Sequence, residues 1–221
     1  MKILFFGASS EIAISICKGS NIEIYGISRK KVKNTYTKYI IVKNYSNIEI
    51  IKKLKKENLK FDHIFFFNGE YSPSLLSNFN KSDFNKILDT NFSLIINSTI
   101  NLIKHNFLKE NGSVCFVSSV AGLVPEVGNA YYSLSKNLLN FGMKILSKEF
   151  KRKNFRFNCL SLGFIKTEFS RQILNFYTAK QRKLILNQQK NKFITNLNLL
   201  KKFKYICSKK KLNSKIIKLH Y

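Results

Sequence analysis

Acidic residues are scarce in this chain. Its 221 residues hold 12 Asp and Glu against 39 Lys and Arg, a formal net charge of +27, and from Ser170 to the end there are 14 Lys or Arg and no acid. Such a balance attracts anions. It points either to an acidic partner or anionic substrate, or to compositional drift, because Lys, Asn, Ile and Phe are over-used together as in an AT-rich coding sequence. The lysines are not interleaved with a nucleic-acid-binding motif, so no specific nucleic-acid partner is expected. Cysteine is equally sparse: Cys17, Cys115, Cys159 and Cys207 lack C-x-x-C spacing, and Cys115 and Cys159 sit in apolar runs. That pattern reads as buried thiols rather than disulfides. His63, His105 and His220 have no partner at ligand spacing, so no metal site is expected. No apolar run approaches the ~20 residues of a membrane helix, and "MKILFFGASSEI" reaches small residues too early for a signal peptide's apolar core. The expectation is a cytoplasmic protein with no membrane span. With two prolines, no repeat and no linker, residues 1–221 are read as one domain.

What is present is alternation. "KILFF" reads as a strand ending at Gly7, "ASSEIAISICKG" as a helix, and "NIEIYGIS" and "KYIIVKN" as strands. "IEIIKKLKKENL" has helical spacing and "HIFFFNG" is an apolar strand. A long helical segment over residues 82–107, with Ser82 as N-cap, precedes the strand "GSVCFVSS". The helix "AYYSLSKNLLNFGMKILSKEFKRK" and the strand "FRFNCLSLG" follow, then a helical excursion with exposed aromatics, a last helix and a short strand. Apolar strands alternating with helices predict an α/β fold, a parallel sheet covered on both faces. Such sheets bind ligands at the carboxyl ends of their strands, where Gly7, Asn68, Ser119 and Gly163 all fall.

In "NAYYSLSKN" two tyrosines precede a lysine. Residues four apart share a helix face, so Lys136 pairs with Tyr132 and turns away from Tyr131, which is expected to be a packing residue. An ammonium nearby favours a phenolate and is expected to draw the Tyr132 pKa down toward the working range.

Ser119 stands 13 residues before Tyr132, "GASSEIA" follows the first strand, and Asn91 lies in "LDTNFSL". Over roughly residues 2 to 170 this set resembles the short-chain dehydrogenase/reductase family. The resemblance implies a single-domain Rossmann-type doubly wound parallel sheet. It also implies a general acid at Tyr132, a carbonyl-holding hydroxyl at Ser119, a ribose-binding ammonium at Lys136, and at Asn91 the anchor of a water that leads protons to the lysine. Two hydroxyl donors aimed at one carbonyl oxygen would stabilise the charge that develops there. Cofactor contacts are implied at Gly7, Ser9, Ser10, Glu11, Ile12, Asn68 and Gly69, as well as at Tyr132 and Lys136. Ile165 and Thr167 match positions that hold the nicotinamide carboxamide.

The first turn departs from the family's T-G-x-x-x-G-x-G, with Phe6, Gly7, Glu11 and Ala13 at the aligned positions. A carboxylate near a pyrophosphate is repulsive unless it points outward or caps backbone amides at the helix start. After the second strand, "GISRKK" puts Ser28 where an acid would grip the ribose of NAD, followed by Arg29. A 2′-phosphate would meet cations there, so NADP(H) is favoured over NAD(H).

The expected function is therefore NADP-dependent reduction of a ketone, or oxidation of a secondary alcohol. The substrate is a keto-sugar of surface-polysaccharide synthesis or, alternatively, a 3-ketoacyl chain on an acidic carrier protein. A non-catalytic dinucleotide-binding regulator is the remaining alternative. Residues 168–200 are read as a substrate-binding lid, and a homodimer or homotetramer is implied through the helices bearing Asn91 and Tyr132.

Overall fold

The computed structural model describes residues 1–32, 35–188 and 193–220. Its seven strands are β1 (Lys2–Phe6), β2 (Glu23–Ser28), β3 (Lys38–Ile41), β4 (Phe61–Phe66), β5 (Leu108–Ser119), β6 (Arg156–Leu162) and β7 (Lys215–Leu219). They form one parallel sheet in the order β3-β2-β1-β4-β5-β6-β7. The central strands lie between two helical layers, which is why "ILFF", "HIFF" and "SVCFV" are apolar without alternation.

Alternate residues feed two cores. On one face Leu4, Phe6, Phe66 and Phe116 pack with Ile50 and Leu54 of α2 (Asn47–Lys56), Ile95 and Leu102 of α4 (Leu94–Lys104), and Leu139 and Met143 of α5 (Ala130–Glu149). On the other, Ile3, Phe5, Phe65 and Cys115 meet Ala13 and Ile16 of α1 (Glu11–Lys18) and Leu199 and Phe203 of α8 (Asn196–Ser208). Ala13 is fully buried, so its methyl is part of the helix-to-sheet contact. The strand order reverses at β1, which sits between β2 and β4, and a crevice opens beyond the carboxyl ends at that switch.

The predicted long helix is present but interrupted. α3 (Lys81–Leu88) runs through a π turn at Asp89–Ser93 into α4, and the turn carries the fully buried Asn91. Its N-cap is not Ser82. Asn80 has the extended backbone of a cap, and its side chain accepts the Asp83 amide at 3.1 Å. The sequence admits either residue, and backbone geometry selects the earlier one.

The excursion after β6 contains α6 (Glu168–Asn175) and α7 (Ala179–Gln188). Residues 189–192 of the expected lid fall outside the described residues, and its last five, Asn196 to Leu200, open α8, where Leu199 is fully buried in the core. No helix among the described residues is long and apolar enough to cross a membrane.

Candidate active site

The carboxyl ends of the strands line one cleft of about 460 Å³. Gly7, Ser9, Ser10, Glu11, Ile12, Arg29, Asn68, Gly69, Ser119, Tyr132, Lys136, Ile165 and Thr167 all line it. Ser28 and Asn91, also singled out from sequence, are fully buried and absent from that lining.

One end is the turn after β1. Gly7 has φ +70°, and a Cβ there would stand 2.9 Å from the Asn68 backbone nitrogen, so only glycine lets the turn lie against the end of β4. The chain then enters α1, whose unpaired amides suit a phosphate. Glu11 does not cap its own helix. Its carboxylate oxygens accept the Glu168 amide at 3.1 and 3.3 Å, so it caps α6 from across the cleft. The expected cap at the start of α1 is absent, and the carboxylate serves instead an amide 157 residues away.

At the outer edge Arg29 is exposed, its guanidinium carbon 5.8 Å from the ring centroid of Tyr45, and both residues line the cleft. Burial raises the Tyr45 phenol, with Asn68 and Arg29 opposing. Ser28 is a correction to the sequence reading. Its hydroxyl donates to the Lys30 carbonyl at 2.6 Å and pairs with the Tyr39 hydroxyl, so it shapes the Arg29 turn from behind instead of offering a donor to a ligand.

At the inner end, β5 delivers Ser119 and α5 delivers Tyr132 and Lys136. Lys136 is buried, donates to the Val117 carbonyl at 3.0 Å, and holds its nitrogen 5.6 Å from the Tyr132 ring centroid. Tyr131 faces away. It packs edge-on against Phe79 and Phe84, and its hydroxyl accepts the Asn80 amide at 2.5 Å.

The expected lowering of the Tyr132 pKa is not what the structure gives. Burial pushes the phenol up to about 12, with the Ser119 hydroxyl pulling the other way, and burial also brings the Lys136 ammonium down to about 8. The ammonium donates its hydrogen bond to Val117 and lies over the ring, and desolvation dominates both groups. Asn91 holds the segment that follows β4 in place. Its Oδ1 accepts the Glu70 amide at 2.7 Å, and its Nδ2 donates to the Glu70 carbonyl at 2.9 Å and to Ser135 Oγ at 3.0 Å. Asn91 Oδ1 and Lys136 Nζ both face Gly69, 3.8 and 3.4 Å from where a Cβ would sit.

Thr167 Oγ1 accepts the Ser170 amide at 3.2 Å as the N-cap of α6. Ile165 is buried and bridges Ile194.

The short chain dehydrogenase family model matches residues 26–177. The chain belongs to the short-chain dehydrogenase/reductase family. It is an NAD(P)-dependent oxidoreductase of that family. Among its relatives, the 3-oxoacyl-(acyl-carrier-protein) reductase FabG of Rickettsia typhi is 30% identical over 195 residues, 84% of this chain and 79% of that protein. That of Chlamydia pneumoniae is 23% identical over 191 residues, 79% and 77% of the two chains. An actinorhodin polyketide ketoreductase solved with NADPH superposes with a TM-score of 0.87 at 14% identity, over 99% of this chain and 95% of that one. The aldohexose dehydrogenase of Thermoplasma acidophilum gives 0.84 at 13%, over 99% and 92%.

The residues fit the dinucleotide that the family uses. The glycine turn, the amino end of α1, the Arg29 cation and the buried Tyr132–Lys136 pair line one continuous cleft, and Glu11 is held by the Glu168 amide. Sequence reasoning missed Tyr45, Tyr71, Glu126, Asn129 and Phe169, all of which line the cleft. Tyr45, directly beyond the "KYIIV" strand, carried a local signal, an aromatic at a strand's carboxyl end. Tyr71, Glu126 and Asn129 come from connecting segments and Phe169 from α6, and their approach to Tyr132 depends on tertiary packing.

Proposed function

We propose that this protein is an NADP(H)-dependent carbonyl reductase in which Tyr132 is the proton donor, Ser119 a second donor to the same carbonyl oxygen, and Lys136 the group that holds the nicotinamide ribose. The observation that carries the reading is the constellation at the mouth of β5, a partly exposed Ser119 beside the buried Tyr132 and Lys136. Burial keeps the Tyr132 phenol protonated at neutral pH, so the proton that reduction of a carbonyl requires is present on it. The nicotinamide supplies the hydride, and the protein supplies position and the proton. Gly7, Ser9, Ser10 and Ile12 would face the pyrophosphate, Asn68, Gly69, Ile165 and Thr167 the nicotinamide half, and Arg29 the 2′-phosphate. Asn91 acts through the Glu70 peptide and Ser135 as a positioning residue.

Two substrate classes suit this reading, a keto-sugar and a 3-ketoacyl chain on a carrier protein. The names of the relatives at 23 and 30% identity point to the second, and the polar lining beside Tyr132 points to the first. Residues 168–188 form the lid in this proposal, since Thr167, Glu168, Phe169, Ser170, Gln172 and Ile173 line the cleft. Leu134, Leu138, Phe141 and Ile145 make an exposed apolar stripe on α5, which suits a homodimer or homotetramer. A monodisperse monomer in sedimentation at micromolar concentration contradicts that part. The reductase itself is tested by NADPH binding and oxidation over a panel of keto-sugars and ketoacyl thioesters. Turnover supports it, and binding without turnover supports the regulator instead.

A further inference from the structure

Beside Tyr132 the cleft holds polar atoms that the protein leaves unserved. Tyr71 meets the Tyr132 ring edge-on at 5.6 Å, and Phe169 lies 6.4 Å from it. Behind them, Glu126 accepts the Asn129 Nδ2 at 3.1 Å, and none of the ion pairs among the described residues includes Glu126. Asn129 is 4% exposed and its Oδ1 has no hydrogen-bond partner. Burial pushes the Tyr71 and Tyr177 phenols up and Glu126 adds to both, while Tyr71 and Asn129 pull Tyr177 the other way; neither hydroxyl makes a well-formed hydrogen bond. Two short bonds fix this corner: the Ser74 amide donates to the Gly128 carbonyl at 2.9 Å, and the Ala130 amide to the Ser74 carbonyl at 3.1 Å.

The surplus here is of acceptors. Asn129 Oδ1 and the Glu126 oxygen not engaged by Asn129 are open to donors, and a buried acceptor left unpaired is expensive. The wider charge pattern agrees. In a chain with 12 acids and a net charge of +27, Glu11, Glu70, Glu126 and Glu168 all line this one cleft. An alkyl chain lying over this corner would leave Asn129 Oδ1 and the second Glu126 oxygen dry, whereas hydroxyl groups next to a carbonyl would satisfy them.

Resting on the reductase reading, we propose that Glu126 and Asn129 are the specificity-determining acceptors of the site, and that they select a ketone carrying neighbouring hydroxyl groups, a sugar-like substrate, over a ketoacyl chain. Tyr71 and Tyr177 complete the set with hydroxyls that can donate or accept.

The test is steady-state kinetics with saturating NADPH on two probe sets. One is the hydroxylated ketones from dihydroxyacetone to fructose, and the other the N-acetylcysteamine thioester of acetoacetate. Binding of the same hydroxylated ketones to the NADP⁺ complex is followed in parallel by calorimetry. Wild type should favour the hydroxylated ketones by about tenfold or more in kcat/KM. Glu126→Gln and Asn129→Ala should each raise their KM about ten- to hundredfold, leaving kcat, NADPH affinity and the thioester kinetics nearly unchanged. A wild-type preference for the thioester overturns the assignment, as does an equal effect of the variants on both probes. If no carbonyl is turned over but hydroxylated ketones bind in a Glu126-dependent way, the assignment stands and the reductase reading fails. If they do not bind at all, the assignment fails.

Discussion

At the inner end of the cleft, Tyr132 and Lys136 are buried and held by backbone contacts within β5 and α5; at the outer end, Arg29 stands exposed over Tyr45 on the turn after β2. Burial sets the chemistry of the first pair, moving both pKa values by desolvation. Charge and solvent govern the second region, where salt screens what a cation can contribute. The difference teaches that the two ends should respond to different perturbations: the inner end to proton supply and side-chain removal, the outer end to ionic strength and cofactor charge.

Lys136→Met strikes the inner end hardest. Turnover should fall by about two to four orders of magnitude, and cofactor binding should weaken with it. The same change should stabilise the fold at neutral pH. The ordinary lysine value is 10.5 and the buried one about 8, so between those values the folded chain binds fewer protons at this site than the unfolded chain, and stability rises with pH across that window. Below it the full penalty of the buried ammonium is present, roughly 3 kcal/mol at most. Thermal unfolding of wild type and Lys136→Met from pH 6 to 10 should show this slope only in wild type, and equal slopes would contradict the burial argument.

The outer end should yield a smaller, salt-sensitive effect. Arg29→Ala should weaken NADPH about tenfold to a hundredfold while leaving NADH nearly untouched, and the wild-type preference should shrink between low and high salt. Fluorescence titration with both nucleotides checks this, and equal wild-type affinities at low salt would remove Arg29 from the phosphate-reading role. The smallest effect belongs to the residue that joins the two regions. Glu11→Gly removes a carboxylate from the phosphate turn and the acceptor of the Glu168 amide, leaving Thr167 as the N-cap of α6, so NADPH should bind about two- to fivefold more tightly. Proteolysis within residues 168–188 should become faster, and unchanged affinity would mean the carboxylate is already fully neutralised by its amide partner.

The sheet and the Tyr132 side of α5 were legible because they rest on local spacing. Apolar runs bounded by turns place the strands, and the four-residue step separates Tyr132 from Tyr131. The link from Glu11 to the Glu168 amide spans 157 residues and has no local signature, and the cap at Asn80 differs from Ser82 only in backbone geometry. Ser28 looked available because sequence shows a hydroxyl and not the Lys30 carbonyl and Tyr39 hydroxyl that engage it. Spacing placed the lysine beside the phenol, but the direction of the pKa shift needed the depth of burial. Glu126 and Asn129 were missed for a related reason: in sequence they belong to an ordinary turn, and only the fold brings that turn against Tyr71 and Tyr177.

The most direct test of the account is Tyr132→Phe beside Tyr131→Phe, measured for NADPH affinity and for NADPH oxidation with a ketone that wild type reduces. The account predicts that Tyr132→Phe keeps its NADPH affinity and loses about three orders of magnitude or more in turnover. Tyr131→Phe should keep turnover and lose about 1 kcal/mol of stability, because its hydroxyl serves the Asn80 amide. Equal losses of turnover in the two variants, or full turnover in Tyr132→Phe, would contradict the assignment of the proton donor.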